Sequence, residues 1–295
     1  MVENKILETD IEKIETNVGK GTPIVKSMNW HITSRCNYRC KFCFARDRGE
    51  ELLDLERMKA VLSLLKQKGI QKINLAGGEP VLHPLFLEIL REAKNAGFTT
   101  SIVTNGYLLN KNVLAEAKDS LDWIGLSIDS SNDYIEKELG RGWGDHVKHS
   151  VEVAKHVNDL GIKLKINTVV TKMNYREDMK SFIEQLEPHR WKVFQYLHMI
   201  GCNDNYYSEM EVTAEQFEVF IRNNEDTRLR DGIKPVFERN SDMLGSYLML
   251  SPDGDLTIDQ GQSYSKIPLE KFHRGDISQF VNSSKYLNRG GDYKW

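Results

Sequence analysis

Three of the four cysteines of this chain fall within eight residues, Cys36-Asn37-Tyr38-Arg39-Cys40-Lys41-Phe42-Cys43, spaced C-x3-C-x2-C. Three thiolates on one short loop can hold one metal centre but cannot close a four-cornered one. A structural zinc site takes four protein ligands and leaves none open. An ordinary iron–sulfur cluster also takes four thiolates, so three leave one iron able to bind something else. Spacing alone leaves two readings. One is an iron–sulfur cluster on Cys36, Cys40 and Cys43 with one iron left open. The other is a zinc knuckle completed by a nearby histidine, with His31 available. Cys202 stands apart and reads as a buried or idle thiol. Four cysteines without even spacing do not make a disulfide framework, which points to a reducing compartment.

The elements that must carry this loop follow from hydrophobic periodicity. Residues 1–26 are polar and mixed in charge, a lead-in. Ser27–Thr33 reads as a strand that delivers the chain into the cysteine loop. Leu53–Lys68 has helical spacing, with Gly69 past its end. The pattern then repeats. Strands are expected at 72–76, 99–104, 123–128, 163–170 and 191–197, and helices at 84–96, 111–118, 146–160 and 178–186. Strands alternating with helices give a parallel sheet with right-handed crossovers. Six such units are too few for a closed eight-stranded barrel. The expected fold is α/β, a partial (βα)6 TIM-type barrel over 27–202. A C-terminal extension, 203–295, should close the site, with a helix at 213–223 and strands at 235–239 and 246–258, the latter turning at Ser251-Pro252-Asp253-Gly254.

Two further features could do chemistry. Gly77-Gly78-Glu79-Pro80 follows the second strand, where glycines let a ligand approach the backbone. The carboxyl ends of strands form the rim of a parallel barrel. A tight βα turn explains the same four residues. Alternate strand residues face opposite ways. Lys72 and Asn74 therefore share a face, as do Lys165 and Asn167, and Arg190 and Lys192. If the apolar faces pack on the helices, these polar ones point inward. Four inward cations without partners would cost several kcal/mol each, so a counter-charge must enter. A triphosphate, with about four negative charges, suits four cations. Alternatively, Lys72 and Arg190 lie outside the barrel at strand starts, with Asp or Glu partners.

Composition limits the partners. The chain has 295 residues, 40 Lys+Arg against 43 Asp+Glu, a net charge of −3 and 40% hydrophobic residues. That balance gives no general attraction to nucleic acid or to an anionic membrane. No apolar run suits a signal peptide or a membrane span of ~18 residues. The expected chain is cytoplasmic and monomeric, with no nucleic acid and no membrane among its partners.

The C-x3-C-x2-C loop after a short strand, with Phe42 before its last cysteine, resembles the radical S-adenosylmethionine (SAM) enzymes. The resemblance implies a [4Fe–4S] cluster whose open iron chelates SAM, with an electron cleaving SAM to methionine and a 5′-deoxyadenosyl radical. It implies that Phe42, Gly77, Gly78, Glu79 and Asn105 serve the cofactor. Ser127 and Arg141 would take the SAM carboxylate and position its ribose. The segments Met28-Asn29-Trp30-His31, Lys72-Ile73-Asn74, Lys165-Ile166-Asn167, Arg190-Trp191-Lys192, Ser246-Tyr247-Leu248 and Arg289-Gly290-Gly291 further resemble the viperin family. This second resemblance implies a nucleoside triphosphate substrate, with CTP expected and UTP or GTP as alternatives. The product would be its 3′-deoxy-3′,4′-didehydro analogue, an antiviral chain terminator. It implies that Lys72, Lys165, Arg190, Lys192 and Arg289 hold phosphates, and that Asn29, Asn74 and Asn167 contact ribose or phosphate. Tyr247 would be a hydrogen donor, and flavodoxin or ferredoxin the electron donor. Gly290 and Gly291 would let the tail order when Arg289 meets its phosphate. The rivals are a radical SAM enzyme acting on a peptide or small metabolite, and a non-enzymatic zinc protein.

Overall fold

The computed structural model describes residues 25–45, 49–259, 261–269, 271, 280–293 and 295. The expected lead-in, residues 1–26, lies outside them apart from Val25 and Lys26. Six strands lie side by side in chain order: β1 (Ser27–Thr33), β2 (Lys72–Gly77), β3 (Thr99–Thr104), β4 (Trp123–Ser127), β5 (Lys163–Val170) and β6 (Arg190–Gln195). All five junctions between them are parallel. The crossovers are helical: α1 (Leu55–Gln67), α2 (Phe86–Asn95), α3 (Lys111–Ala117), α4 (Asp133–Glu138), α5 (His146–Asp159) and α6 (Lys180–Leu186).

Local chemistry sets the helix ends. The Asp54 carboxylate accepts from the Glu56 amide at 2.9 Å and caps α1, which removes one orphan N–H from its first turn. Asn110 caps α3 in the same way. The helix α4 was not expected. It is six residues long, too short to show a period, and it follows loop-forming Ser130-Ser131-Asn132. The Asn132 side chain caps it through the Tyr134 amide at 2.8 Å.

One face of each strand packs on the helices, as alternation requires. Ile73, Leu75, Ile124, Leu126, Leu164, Ile166 and Val193 are fully buried against Leu62, Ile89, Leu114, Val157 and Ile183. Each such side chain contributes about 1.5–3 kcal/mol by leaving water.

The C-terminal part does not stand apart from this sheet but extends it at both edges. After α7 (Tyr207–Met210) and α8 (Ala214–Asn224), β7 (Val236–Glu238) adds in parallel to β6. The chain then passes through α9 (Asn240–Met243), and β8 (Met249–Leu250) adds in parallel to β1, at the opposite edge. Among the described residues the sheet has ten strands, ordered β10-β9-β8-β1-β2-β3-β4-β5-β6-β7. Residues 239–248 span the two edges, and n extended residues reach at most about 3.3–3.6 Å × n. Four of these residues are helical and so shorten the reach, and the Tyr247 hydroxyl bonds the Glu238 carboxylate, so the sheet curves until its edges approach, which makes it an open barrel. The strand expected over 246–258 is two strands, β8 and β9 (Leu256–Asp259), antiparallel about the Ser251–Asp255 turn. Neither β10 (Tyr264–Ile267) nor α10 (Ser283–Asn288) was expected.

Candidate active site

The rim of the barrel is assembled around the cysteine loop. Chain pairing fixes the loop from both sides: the Arg39 amide donates to the Gly140 carbonyl at 3.2 Å and the Lys41 amide to the Leu139 carbonyl at 2.9 Å. The Gly77–Pro80 turn pairs with the strand end that feeds it. The Gly78 amide donates to the Thr33 carbonyl and the Glu79 amide to the Arg35 carbonyl, each at 2.7 Å. The glycines are obligatory for this reason. A Cβ on Gly78 would stand 2.2 Å from the Arg35 carbonyl oxygen, and one on Gly77, at φ +145°, 2.3 Å from that of Thr33. The close approach that the sequence assigned to a ligand is made by the chain's own backbone.

No disulfide joins the cysteines. Backbone amides of Tyr38 and Ala45 donate to the sulfurs of Cys36 and Cys43, each at 3.4 Å. The Asn105 side chain reaches Cys36 Sγ at 3.9 Å and Asn37 Oδ1 at 2.8 Å. Burial, opposed by Arg141 and reinforced by Cys43 and Cys36, pushes the Cys40 thiol up to about 12. Burial raises the Cys36 thiol as well, so without a cation these two thiols favour their protonated forms. A bound metal reverses that preference. Among the described residues no three His, Cys, Asp or Glu side chains are arranged to hold one metal ion. His31 faces Phe44, ring centroids 6.5 Å apart. A cluster distributes its thiolates over separate irons, and the loop's three sulfurs with their amide donors fit that arrangement.

Carboxylates surround this loop. Glu79 is fully buried; its oxygens accept from Thr104 Oγ1 at 2.7 Å and the Asn105 amide at 2.8 Å. Burial nonetheless raises it to about 7. Asp129 and Glu136, also fully buried, flank Arg141, whose Nε donates to Asp129 Oδ2 at 2.5 Å and lies 3.7 Å from Glu136 Oε2. The Arg141 guanidinium carbon is 5.5 Å from the centre of the Phe42 ring. Ser127 ends β4, and its carbonyl accepts from His146 Nε2 at 2.9 Å. Arg141 is therefore neither a surface arginine nor an unpartnered one; two protein carboxylates already hold it.

The interior is the opposite in charge. Lys72, Asn74, Arg190 and Lys192 are buried, and strand register places Lys165 beside Arg190 and Asn167 beside Lys192. Gly125 of β4 makes room for this pair, since a Cβ there would stand 2.8 Å from Lys165 Cε. The expectation that these cations lack protein partners is corrected. Glu238 of β7, fully buried, forms an ion pair with Lys192. It also accepts from the Tyr247 hydroxyl at 2.5 Å, and Lys192 Nζ lies 3.2 Å from that hydroxyl. Tyr247 thus bridges the two edges of the sheet. Lys72 and Arg190 do sit at strand starts, but their partners come from the tail: Lys72 donates to the Tyr293 hydroxyl at 2.6 Å, and Arg190 to the Gly290 carbonyl at 2.6 Å. The Arg190 guanidinium stacks on Tyr293 at 3.7 Å and that of Arg289 on Tyr247 at 3.6 Å. Arg289 also donates to the Ser246 carbonyl. The two glycines after it are a helix stop rather than a hinge. Gly290 has φ +66°, and the Gly291 amide returns to the Tyr286 carbonyl at 2.8 Å.

Even so, the interior is left short of partners. Asn74 Oδ1, Ser101 Oγ, Trp123 Nε1, Asn167 Oδ1 and Arg190 Nε are buried atoms without a hydrogen bond. Such atoms are rare in folded proteins and imply a missing ligand or water. Asn29 Oδ1 accepts from Asn74 Nδ2 at 2.9 Å, which fixes both amides. Burial, joined by the neighbouring cations, drives Lys72 down to about 6, Lys165 to about 8 and Lys192 to about 7; Glu238 opposes the shift at Lys165 and Lys192. An entering anion would restore their charge. Sequence reasoning had not assigned Glu238, Tyr293, Ser101, Asp129 or Glu136. The alternation of Val236-Phe237-Glu238 was enough to turn Glu238 inward; nothing local marks the others.

Comparison with known proteins places this geometry. The radical SAM superfamily profile matches residues 30–186. A protein of the Thermoplasmatales archaeon strain ISO4-H5, named S-adenosylmethionine-dependent nucleotide dehydratase, is 38% identical over 92% of this chain and 96% of its own length. The RSAD2 protein of Oncorhynchus mykiss, with the same activity in its name, is 30% identical over 99% of this chain and 86% of its own. The crystal structure of Streptococcus suis SuiB bound to S-adenosylmethionine superposes with a TM-score of 0.64 at 18% identity, covering 90% of this chain and 68% of that one. That likeness confirms the fold.

Proposed function

The chain belongs to the radical SAM superfamily and, within it, to the viperin family of SAM-dependent nucleotide dehydratases, and from that premise we propose that it dehydrates a nucleoside triphosphate to the 3′-deoxy-3′,4′-didehydro analogue, with CTP as the favoured substrate and a chain terminator as the product. The observation that carries this reading is the interior: Lys72, Lys165, Arg190, Lys192 and Arg289 converge against one carboxylate, Glu238, among buried polar atoms that lack partners. Once an entering anion restores the charge of the lowered lysines, five cations less one anion leave four positive charges, the amount that a triphosphate's four negative charges neutralise.

Cys36, Cys40 and Cys43 would hold the cluster, which supplies the electron that cleaves SAM. Glu79, Asn105, Ser127 and Arg141 form the cofactor's side of the rim, and Glu238, Tyr247, Arg289 and Tyr293 close the substrate's side. Asn29, Asn74 and Asn167 orient the ribose between the two ends. With SAM bound, the cofactor would supply the radical that takes the C4′ hydrogen from the substrate these residues position. The substrate's 3′-hydroxyl then departs as water, which consumes one proton and one electron. Tyr247 can deliver both as a hydrogen atom, becoming a tyrosyl radical that the external one-electron donor and a solvent proton then restore; its hydroxyl is held in place by Glu238 and Lys192. The curved sheet and the tail exclude water from these steps.

The test is mass spectrometry after turnover of the reconstituted protein with SAM, reductant and CTP, UTP or GTP. A nucleotide lighter by one water, formed with 5′-deoxyadenosine, supports the reading. An unchanged nucleotide pool beside active SAM cleavage rejects the dehydration and reopens the peptide or metabolite alternative.

A further inference from the structure

Trp143 is 58% exposed, although it sits beside the most chemically active loop of the chain. It stands between two left-handed glycines, Gly142 at φ +79° and Gly144 at φ +104°. Its indole meets Tyr38 edge-on at 5.2 Å and Tyr107 at 4.9 Å, and those two rings are 5.9 Å apart. Tyr107 is backed by His149 at 5.3 Å, and Tyr38 by His146 at 5.5 Å. Tyr38 lies between Cys36 and Cys40, is buried, and its amide donates to Cys36 Sγ. An unbroken run of packed rings thus leads from solvent to the cysteine loop. Arg39 pairs with Gly140 through the backbone, its guanidinium donating to the Cys36 and Tyr38 carbonyls, and Lys137 packs toward Gly144. In this stretch Arg39, Lys137 and Lys148 are exposed, against exposed Asp145 and half-buried Glu138, a small positive excess.

A lone exposed tryptophan is ordinary. One braced by two tyrosines and set among cations has the composition of an interface anchor, since Trp, Tyr and Arg carry most of the energy at protein contacts. The chemistry proposed above consumes electrons that this chain does not generate, and they must enter at the cysteine loop. We propose that the Trp143 face, with Tyr107, Arg39, Lys137 and Lys148, is the docking site of a small acidic one-electron carrier protein, a flavodoxin or ferredoxin. This rests on the radical SAM reading of the cysteine loop. Encounters between redox proteins use small interfaces and electrostatic steering, which a single aromatic anchor with a few surrounding cations provides.

The test compares Trp143→Ala and a Lys137→Glu/Lys148→Glu double variant with the wild-type chain. Binding of a flavodoxin and of a ferredoxin to the protein before cluster reconstitution is measured by calorimetry at two salt concentrations. Formation of 5′-deoxyadenosine by the reconstituted enzyme is then measured with either dithionite or the reduced carrier as electron source. The expected result is wild-type binding that weakens with salt, at least tenfold weaker binding for both variants, and a matching loss of carrier-driven turnover. Dithionite-driven turnover should stay at the wild-type level. Wild-type failure to bind either carrier, variants that bind as the wild type does, or an equal loss with dithionite would each overturn the proposal. If dithionite drives no SAM cleavage in the wild type, the radical SAM reading fails instead, and the binding arm still decides this one.

Discussion

The two ends of the barrel bury ionisable groups of opposite kind, and burial pushes both sets toward their neutral forms: Glu79 and Glu136 upward, Lys72, Lys165 and Lys192 downward. Around the cysteine loop, Glu79, Asp129 and Glu136 are buried with one arginine, Arg141. In the interior, Lys72, Lys165, Arg190, Lys192 and Arg289 meet one carboxylate, Glu238. Buried charges of like sign are tolerated only when something neutralises them. The acidic end suits a cationic sulfonium cofactor and a metal centre, and the basic end suits a polyanion. The single opposite charge in each cluster holds the remaining groups in position while the ligand is away. Under the proposed function the two ends would take different ligands, and the polarity between them would orient what binds.

The comparison breaks most sharply at the cysteines. Cys36→Ala, Cys40→Ala or Cys43→Ala should each abolish SAM cleavage and the visible absorption of the reconstituted protein, whereas Cys202→Ala should retain both. Full cleavage by the Cys40→Ala protein would refute the assignment of the loop. Next is Arg141. Because it lies between two fully buried carboxylates, Arg141→Ala should lower stability by about 3–5 kcal/mol, the usual result of leaving buried charge unpaired. Urea unfolding of the protein without cofactors measures this, and a midpoint like that of the wild type would show that Arg141 serves only the ligand.

A smaller effect sharpens the basic end. Lys165→Ala should weaken triphosphate binding by about 1–3 kcal/mol, less at high salt, and leave SAM binding unchanged. A parallel loss of SAM affinity would mean that the two ends are not separable. The smallest effect concerns protons. Lys72, Lys192 and Lys165 are lowered to about 6, 7 and 8, chiefly by burial. Bound phosphate favours their charged forms and raises them toward the ordinary lysine value. At pH 8, therefore, triphosphate binding should take up protons, and at pH 5, where these lysines are already charged, it should take up none through them. Calorimetry in buffers of different ionisation enthalpy reads this directly. A binding enthalpy independent of buffer at pH 8 would contradict the dry, depressed state of the lysines.

The two ends also differ in how far the sequence revealed them. The rim is built from short-range features. Cys36 to Cys43, Gly77-Gly78 and the strand ends lie in contiguous motifs whose residue types are forced by backbone approach. The inward faces of β2, β5 and β6 were equally legible, because period-two alternation assigns a side to each residue. What neutralises those faces was not. Glu238, Tyr247 and Tyr293 reach Lys192, Lys72 and Arg190 from positions far along the chain. Their placement depends on β7 and β8 adding to opposite edges of one sheet, which no local pattern encodes. The same limit applies to Arg141, whose partners Asp129 and Glu136 lie near in sequence but on a six-residue helix and the loop before it, too short to show a period.

The central claim is that the basic end is a triphosphate site coupled to SAM cleavage. The most direct measurement is the rate of 5′-deoxyadenosine formation by the reconstituted protein with CTP, with cytidine and with no nucleotide. The account predicts acceleration by CTP and none by cytidine, because only the phosphates neutralise Lys72, Lys165, Arg190, Lys192 and Arg289. If CTP, UTP and GTP all leave the rate at background, or cytidine raises it as much as CTP, the interior is not the site described here.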